Sequence, residues 1–174
     1  MKTRRVSTIM AVLLVLTAAL ASSQELRKEG KYWIAEIEKT FDVGEKGTLE
    51  FDRISGSVTV SAWDKNQVYI KETKQMDIFS ENEARIAVEK TEGGYSKRGD
   101  NITISGAAFN RSWIQSSFEV SAPAGFSVEV DSRGGSISVS GINGRVKGST
   151  GGGGISMENM GGRVDISSGG GTVS

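Results

Sequence analysis

The acids Glu129, Asp131, Glu158 and Asp165 are the carboxylates of a glycine-rich C-terminal third. Paired carboxylates could run glycosidase or lyase chemistry, provided two of them face one cleft at a set separation. The periodicity of the segment puts no two of these acids side by side on one face, so each reads as a solvated strand residue. The chain of 174 residues contains neither His nor Cys, which removes Ser/His/Asp and Cys/His catalysis, thiol nucleophiles, disulfides, and zinc and iron–sulfur sites. Residues 151–156 approach the Gly-Gly-x-Gly-x-Asp form of calcium-binding nonapeptides, but Ser156 stands where the carboxylate ligand belongs. Lys147-Gly148-Ser149 inverts the Gly-Lys order of a phosphate loop. The expectation is a protein that is not an enzyme and carries no cofactor and no metal.

Two features could bind rather than react. Arg98-Gly99-Asp100 is an integrin-type tripeptide, placed between Tyr95 and Ile102 where a hairpin turn also calls for Gly-Asp. Trp63, like Trp33 and Trp113, could stack on a sugar or fill a core. Asn101-Ile102-Thr103 and Asn110-Arg111-Ser112 match the glycosylation acceptor pattern, a short motif that assigns no function by itself. Basic and acidic residues balance at 21 each, with no cationic stripe to meet nucleic acid or anionic lipid.

Positioning starts with a segment that does not belong to the fold. Lys2, Arg4 and Arg5 precede an apolar or small-residue run from Ile9 to Leu20, followed by Ala21-Ser22-Ser23. This is the pattern of a secretory signal peptide over residues 1–23, cut after Ala21 or Ser23, by the general route because Ser7-Thr8 follow the arginine pair. About 12 apolar residues fall short of the roughly 20 that span a bilayer. No integral span is expected after cleavage, and without cysteine no lipid anchor. Losing the three leader charges from the balanced total leaves the mature chain near −3. Periplasm, cell surface or medium is the expected location.

Fourteen of the 23 glycines lie between Asp131 and Ser174, while all twelve aromatic residues lie at or before Phe126. Gly135, Gly144, Gly153, Gly162 and Gly171 recur every nine residues, and two places after each comes Ile137, Val146, Ile155, Val164 or Val173. Apolar-x-apolar is strand alternation. Similarity is better at 18: Gly144-Arg145-Val146 returns as Gly162-Arg163-Val164. The reading is an all-β fold, a β-solenoid of stacked coils of about 18 residues with two strands each, glycine at the corners and Ile/Val ladders inside. It places Lys147 beside Asp165, and Arg145 less favourably beside Arg163.

Upstream, Gly56 to Val60 repeats the signature, followed by Val68-x-Ile70; Phe41/Val43 and Leu49/Phe51 flank a turn at residues 44–47. Residues 80–91 form the one short helix, opened by Ser80 and Glu83 as a capping box. Ile102/Ile104 and Trp113, Phe118, Val120 resume strands, and residues 123–125 turn a corner. The division is a leader, residues 1–23; a β-rich part with the helix and a cap, 24–126; and glycine-rich repeats, 127–174, with 24–174 one continuous domain. The array is expected to continue past Ser174, and its open end to self-associate end to end.

The run from Phe51 to Val60, Trp63-Asp64, Val120 to Gly125, and the Gly-x-Ile/Val repeats resemble the bacterial putative-adhesin family of β-strand-repeat proteins, and the related head domain of autotransporter adhesins. The resemblance covers roughly residues 35–174 and implies a solenoid-like, extracytoplasmic protein without an assigned activity. The function expected is a non-catalytic exported module for cell-envelope or surface interaction, its partner a surface glycan or protein. A polysaccharide-active enzyme on the same scaffold and a periplasmic regulatory or stress-response partner are the alternatives.

Overall fold

The computed structural model describes residues 23–106 and 112–174. All of the expected leader but Ser23, and most of the second glycosylation tripeptide, lie outside them. The strands are β1 (Ser23–Glu29), β2 (Tyr32–Asp42), β3 (Thr48–Ile54), β4 (Ser57–Trp63) and β5 (Gln67–Met76). After α1 (Glu81–Lys90) come β6 (Gly94–Arg98), β7 (Asn101–Ser105), β8 (Ile114–Pro123), β9 (Ser127–Ser132), β10 (Ile137–Ser140), β11 (Val146–Thr150), β12 (Ile155–Glu158) and β13 (Val164–Ser168). They build two facing sheets, one in the order β1-β2-β5-β8-β4-β10-β12 and the other β13-β11-β9-β3-β7-β6. Among the described residues no helix is long and apolar enough to cross a membrane.

The architecture is all-β with one helix, but it is not the β-solenoid expected from the nine-residue beat. Stacked coils require parallel neighbours throughout, whereas β1–β2, β2–β5, β5–β8 and β6–β7 are antiparallel, so both sheets are mixed. The 11-residue β2 and 10-residue β5 are longer than a nine-residue half-coil can hold, and they pair with each other over ten positions. Their length and alternation of inward and outward side chains favour an extended antiparallel pair over a strand that turns a corner every nine residues. What the beat encodes is register. Ile137 pairs with Val58 and Ile155, and Val146 with Val128 and Val164, all in parallel.

Glycine holds that register by close approach. A Cβ on Gly135 would meet the backbone of Gly56; one on Gly153, the backbone of Gly135; one on Gly171, that of Gly153. At the opposite corner, Gly162 is set against Gly144, and Gly144 against Phe126. Two glycine columns therefore mark the corners where successive strands change sheet. Gly135 adds a φ of +106°, which side chains rarely adopt.

Between the sheets runs one buried apolar cluster that draws on both halves of the chain, including Leu49, Phe51, Ile70, Ile104 and Phe126 as well as Val139, Val146 and Ile155. Phe51 and Phe118 meet edge to face at 6.0 Å. A second cluster lies under the helix, where Ala84, Ala87 and Val88 pack on Ala35, Ile37 and Met76.

Candidate functional site

The helix forms where the sequence places its signals. Ser80 caps it, its Oγ accepting a hydrogen bond from the Glu83 N–H at 3.3 Å; Glu81 and Glu83 occupy the positive first turn and Lys90 the last. Thr91 closes it, its hydroxyl donating to Ala87 O at 2.7 Å. Ala84, Ala87 and Val88 make a narrow buried stripe. Ile86 falls off that stripe and is 41% exposed.

Beside this face opens a cleft of about 760 Å³, lined by Asp77, Ile78, Phe79, Glu83, Ile86, Ala87, Lys90, Thr91 and Trp113. Phe79, one residue before the cap, is 96% exposed, and Trp113, just before β8, is 39% exposed. The Asp77 N–H donates to Trp113 O at 3.0 Å, tying together the two segments that form one wall. The Asp77 carboxylate pairs with Lys31 at 2.8 Å.

Beneath the helix lies a buried polar network. Glu72 and Lys74 alternate inward on β5 and are almost fully buried. Lys74 Nζ donates to Glu72 Oε1 at 2.5 Å and to the Thr91 carbonyl at 2.8 Å, and the Tyr95 hydroxyl donates to Glu72 Oε2. Burial, and then the charge of Glu72, push the Tyr95 phenol far above its ordinary range. Lys39 stands over the Tyr95 ring at 5.6 Å and faces Glu92 at 3.9 Å. Each member holds another, so the network anchors the C-terminal end of α1 to β5 and β6 and presents no free acid or base to the cleft.

The residues singled out from sequence lie elsewhere. The repeat glycines and aliphatics, Gly135 and Ile137 through Gly171 and Val173, form the corner columns and the parallel ladders. Arg98-Gly99-Asp100 makes the β6–β7 turn, with Gly99 at φ +60°. Asp100 Oδ1 accepts from the Gly44 N–H at 2.9 Å, while Arg98 borders a shallow polar depression on the outer face of the second sheet with Glu50, Asn101 and Thr103. Trp63 donates to Gln67 O at 2.7 Å, with Tyr69 at 6.4 Å and Lys65 over its ring at 4.8 Å, and so braces the crossing from β4 to β5.

The repeat acids are spread over two sheets. Glu158 is on the first, and Glu129, Asp131 and Asp165 are on the second. Lys147 stands in register between Glu129 and Asp165 but pairs with Glu129 at 2.5 Å, leaving Asp165 to Arg145 at 3.7 Å. Sequence reasoning missed that Glu50 is the register neighbour of Glu129. No group of three or more Asp or Glu able to hold a metal occurs among the described residues. The cleft was missed as well. Its signal was Phe79 next to a helix cap and Ile86 off the buried stripe, both visible once the helix phase is drawn.

No protein-family model matches the sequence, and no curated protein matches it. Among solved structures the chain is similar to a putative cell adhesion protein from Clostridium sporogenes ATCC 15579, with 11% identity over 88% of this chain and 98% of that one and a TM-score of 0.43. It is also similar to a putative adhesin from Bacteroides fragilis NCTC 9343, with 7% identity over 79% and 95% and a TM-score of 0.33. Both are distant likenesses, and the activity of this protein has to be read from its own surfaces.

Proposed function

We propose that the protein is an exported, non-catalytic, adhesin-like module that acts by protein–protein contact, with the α1 cleft as its working surface. The observation that carries this reading is a convergence. Among the described residues five large hydrophobics are exposed, and three of them, Phe79, Ile86 and Trp113, border one cleft. Scattered exposed apolar residues are ordinary, whereas a concentrated patch rimmed by charges marks an interaction surface. Its rim carries Asp77 and Glu83 as well as Lys90, a mixture that suits a protein partner better than an anionic membrane. Export rests on the basic and apolar pattern of residues 1–23.

The test uses beads coated with the mature protein, scored for adhesion to envelope vesicles and to one another. Phe79→Ser with Ile86→Ser should cut adhesion at least tenfold without changing the circular dichroism spectrum. Unchanged adhesion would overturn the cleft reading, and turnover of a polysaccharide by the wild-type protein would overturn the non-catalytic one.

A further inference from the structure

We infer that the partner in the cleft is a second copy of this chain, docked so that the two α1 helices run antiparallel about a two-fold axis; this rests on the cleft being an interaction surface. The argument is the pattern of charge along the exposed helix face. Glu83, Ile86 and Lys90, spaced three and four residues apart, lie along the cleft side of α1, with Ala87 beneath them. The midpoint of Glu83 and Lys90 falls between Ile86 and Ala87. An antiparallel copy centred there sets Ile86 level with the partner's Ala87, so that the two Ile86 side chains lie side by side about 1.5 Å apart along the axis. It places each Glu83 opposite the partner's Lys90, the two charged ends lying about 10 Å apart along the helix at about 1.5 Å per residue.

A parallel copy would set like against like at both ends, so the pattern is self-complementary in one orientation only. The other charges of the helix behave differently. Glu81 pairs with Arg85 within the chain, whereas neither Glu83 nor Lys90 has an ion-pair partner among the described residues. In the same arrangement the Phe79 of one copy, 96% exposed, passes the C-terminal end of the other copy's helix, where Lys90 and Thr91 line the cleft. Each copy thus supplies both a protruding ring and the concavity that receives it.

Charge reversal provides the test, read by sedimentation equilibrium from about 1 to 300 μM, a span that covers the micromolar affinities of modest interfaces. Wild-type protein should dimerise. Glu83→Lys alone sets two positive charges against each other at both ends of the interface and should weaken the dimer at least tenfold. Lys90→Glu alone does the same with two negative charges, to the same extent. An equimolar mixture of the two variants restores opposite charges at both ends and should form a heterodimer, which also shows that each variant is folded. Monomeric wild-type protein over the whole range, or a mixture no more associated than its components, overturns the proposal. If the wild type is monomeric yet envelope adhesion still depends on Phe79 and Ile86, the cleft takes another protein; if that dependence is lost too, the cleft reading itself has failed.

Discussion

The parallel ladder of β9 to β13 and the antiparallel region around α1 solve the same problem with different materials. In the ladder, strands sit at backbone contact, glycine fills the corners, and aliphatic residues stack in register. Charged residues stay on its outer face, as in the exposed Lys147–Glu129 pair. Around the helix, wider spaces are filled by Met76, Ile37 and Trp33, a charged pair is buried, and an apolar cleft is left open. Departures from local rules concentrate where function is expected, because an uncovered apolar face has to be supported by structure elsewhere. The ladder follows the rules, as a scaffold does; the helix region breaks them and is the candidate working end.

The largest effect should come from breaking the ladder at a corner. Gly144→Val would place a side chain into the Phe126 carbonyl, backbone that cannot step aside, and should lower stability by about 3 kcal/mol or more. Urea unfolding would show it, and a midpoint like wild type would refute the account of the glycine columns.

In the helix region the comparable break is ionic. Lys74→Met leaves Glu72 buried without its cation and should cost about 3 kcal/mol, whereas Glu72→Leu combined with Lys74→Met and with Tyr95→Phe, which removes the hydroxyl that Glu72 accepts from, should recover most of it. A triple variant as unstable as the single one would show that the network itself stabilises.

Tyr95 adds a pH dependence on the same side of the molecule. The folded state raises its pKa, so it favours the protonated phenol; the stabilisation is complete below the ordinary value near 10 and declines as pH rises above it. Melting temperatures from about pH 8 to pH 11 should fall in the wild type and fall less in Tyr95→Phe.

Capping is a smaller matter. Ser80→Ala removes the bond to the Glu83 N–H and should cost about 1 kcal/mol in thermal unfolding. On the ladder's outer face, Lys147→Ala should leave the melting temperature unchanged, because both partners of that pair are solvated.

How much of this was legible in the sequence follows the same division. The ladder could be read in register because glycine and aliphatic residues recur wherever backbones touch, and Ser80 with its acidic first turn marked the helix. Local register does not extend to a global solenoid, because antiparallel strands complete both sheets. Nothing in Gly56 to Val60 reveals that β8, far along the chain, inserts between β4 and β5. Long-range antiparallel pairing leaves only alternation in each strand, and alternation does not say which strand is the neighbour. The cleft was legible only in part for a related reason: Phe79 and Ile86 are close in sequence and stand out from the helix phase, but Trp113 joins them only through the fold. Asp100 was legible as a turn residue and not as the acceptor that holds Gly44, since its partner lies 56 positions away.

The central claim is that the helix cleft, and not the end of the ladder, is the working surface. The two patches can be compared directly, because Val164 and Val173, 37% and 48% exposed, are the other large hydrophobics at the surface among the described residues. Adhesion of coated beads to envelope vesicles and to one another should be measured for Phe79→Ser/Ile86→Ser and for Val164→Ser/Val173→Ser, each checked for an unchanged fold. The account predicts at least a tenfold loss for the cleft pair and adhesion within about twofold of wild type for the ladder pair, in keeping with binding energy concentrated in a few central apolar anchors. The opposite result, adhesion lost with the valines and kept without Phe79 and Ile86, would contradict it and move the working surface to the end of the ladder.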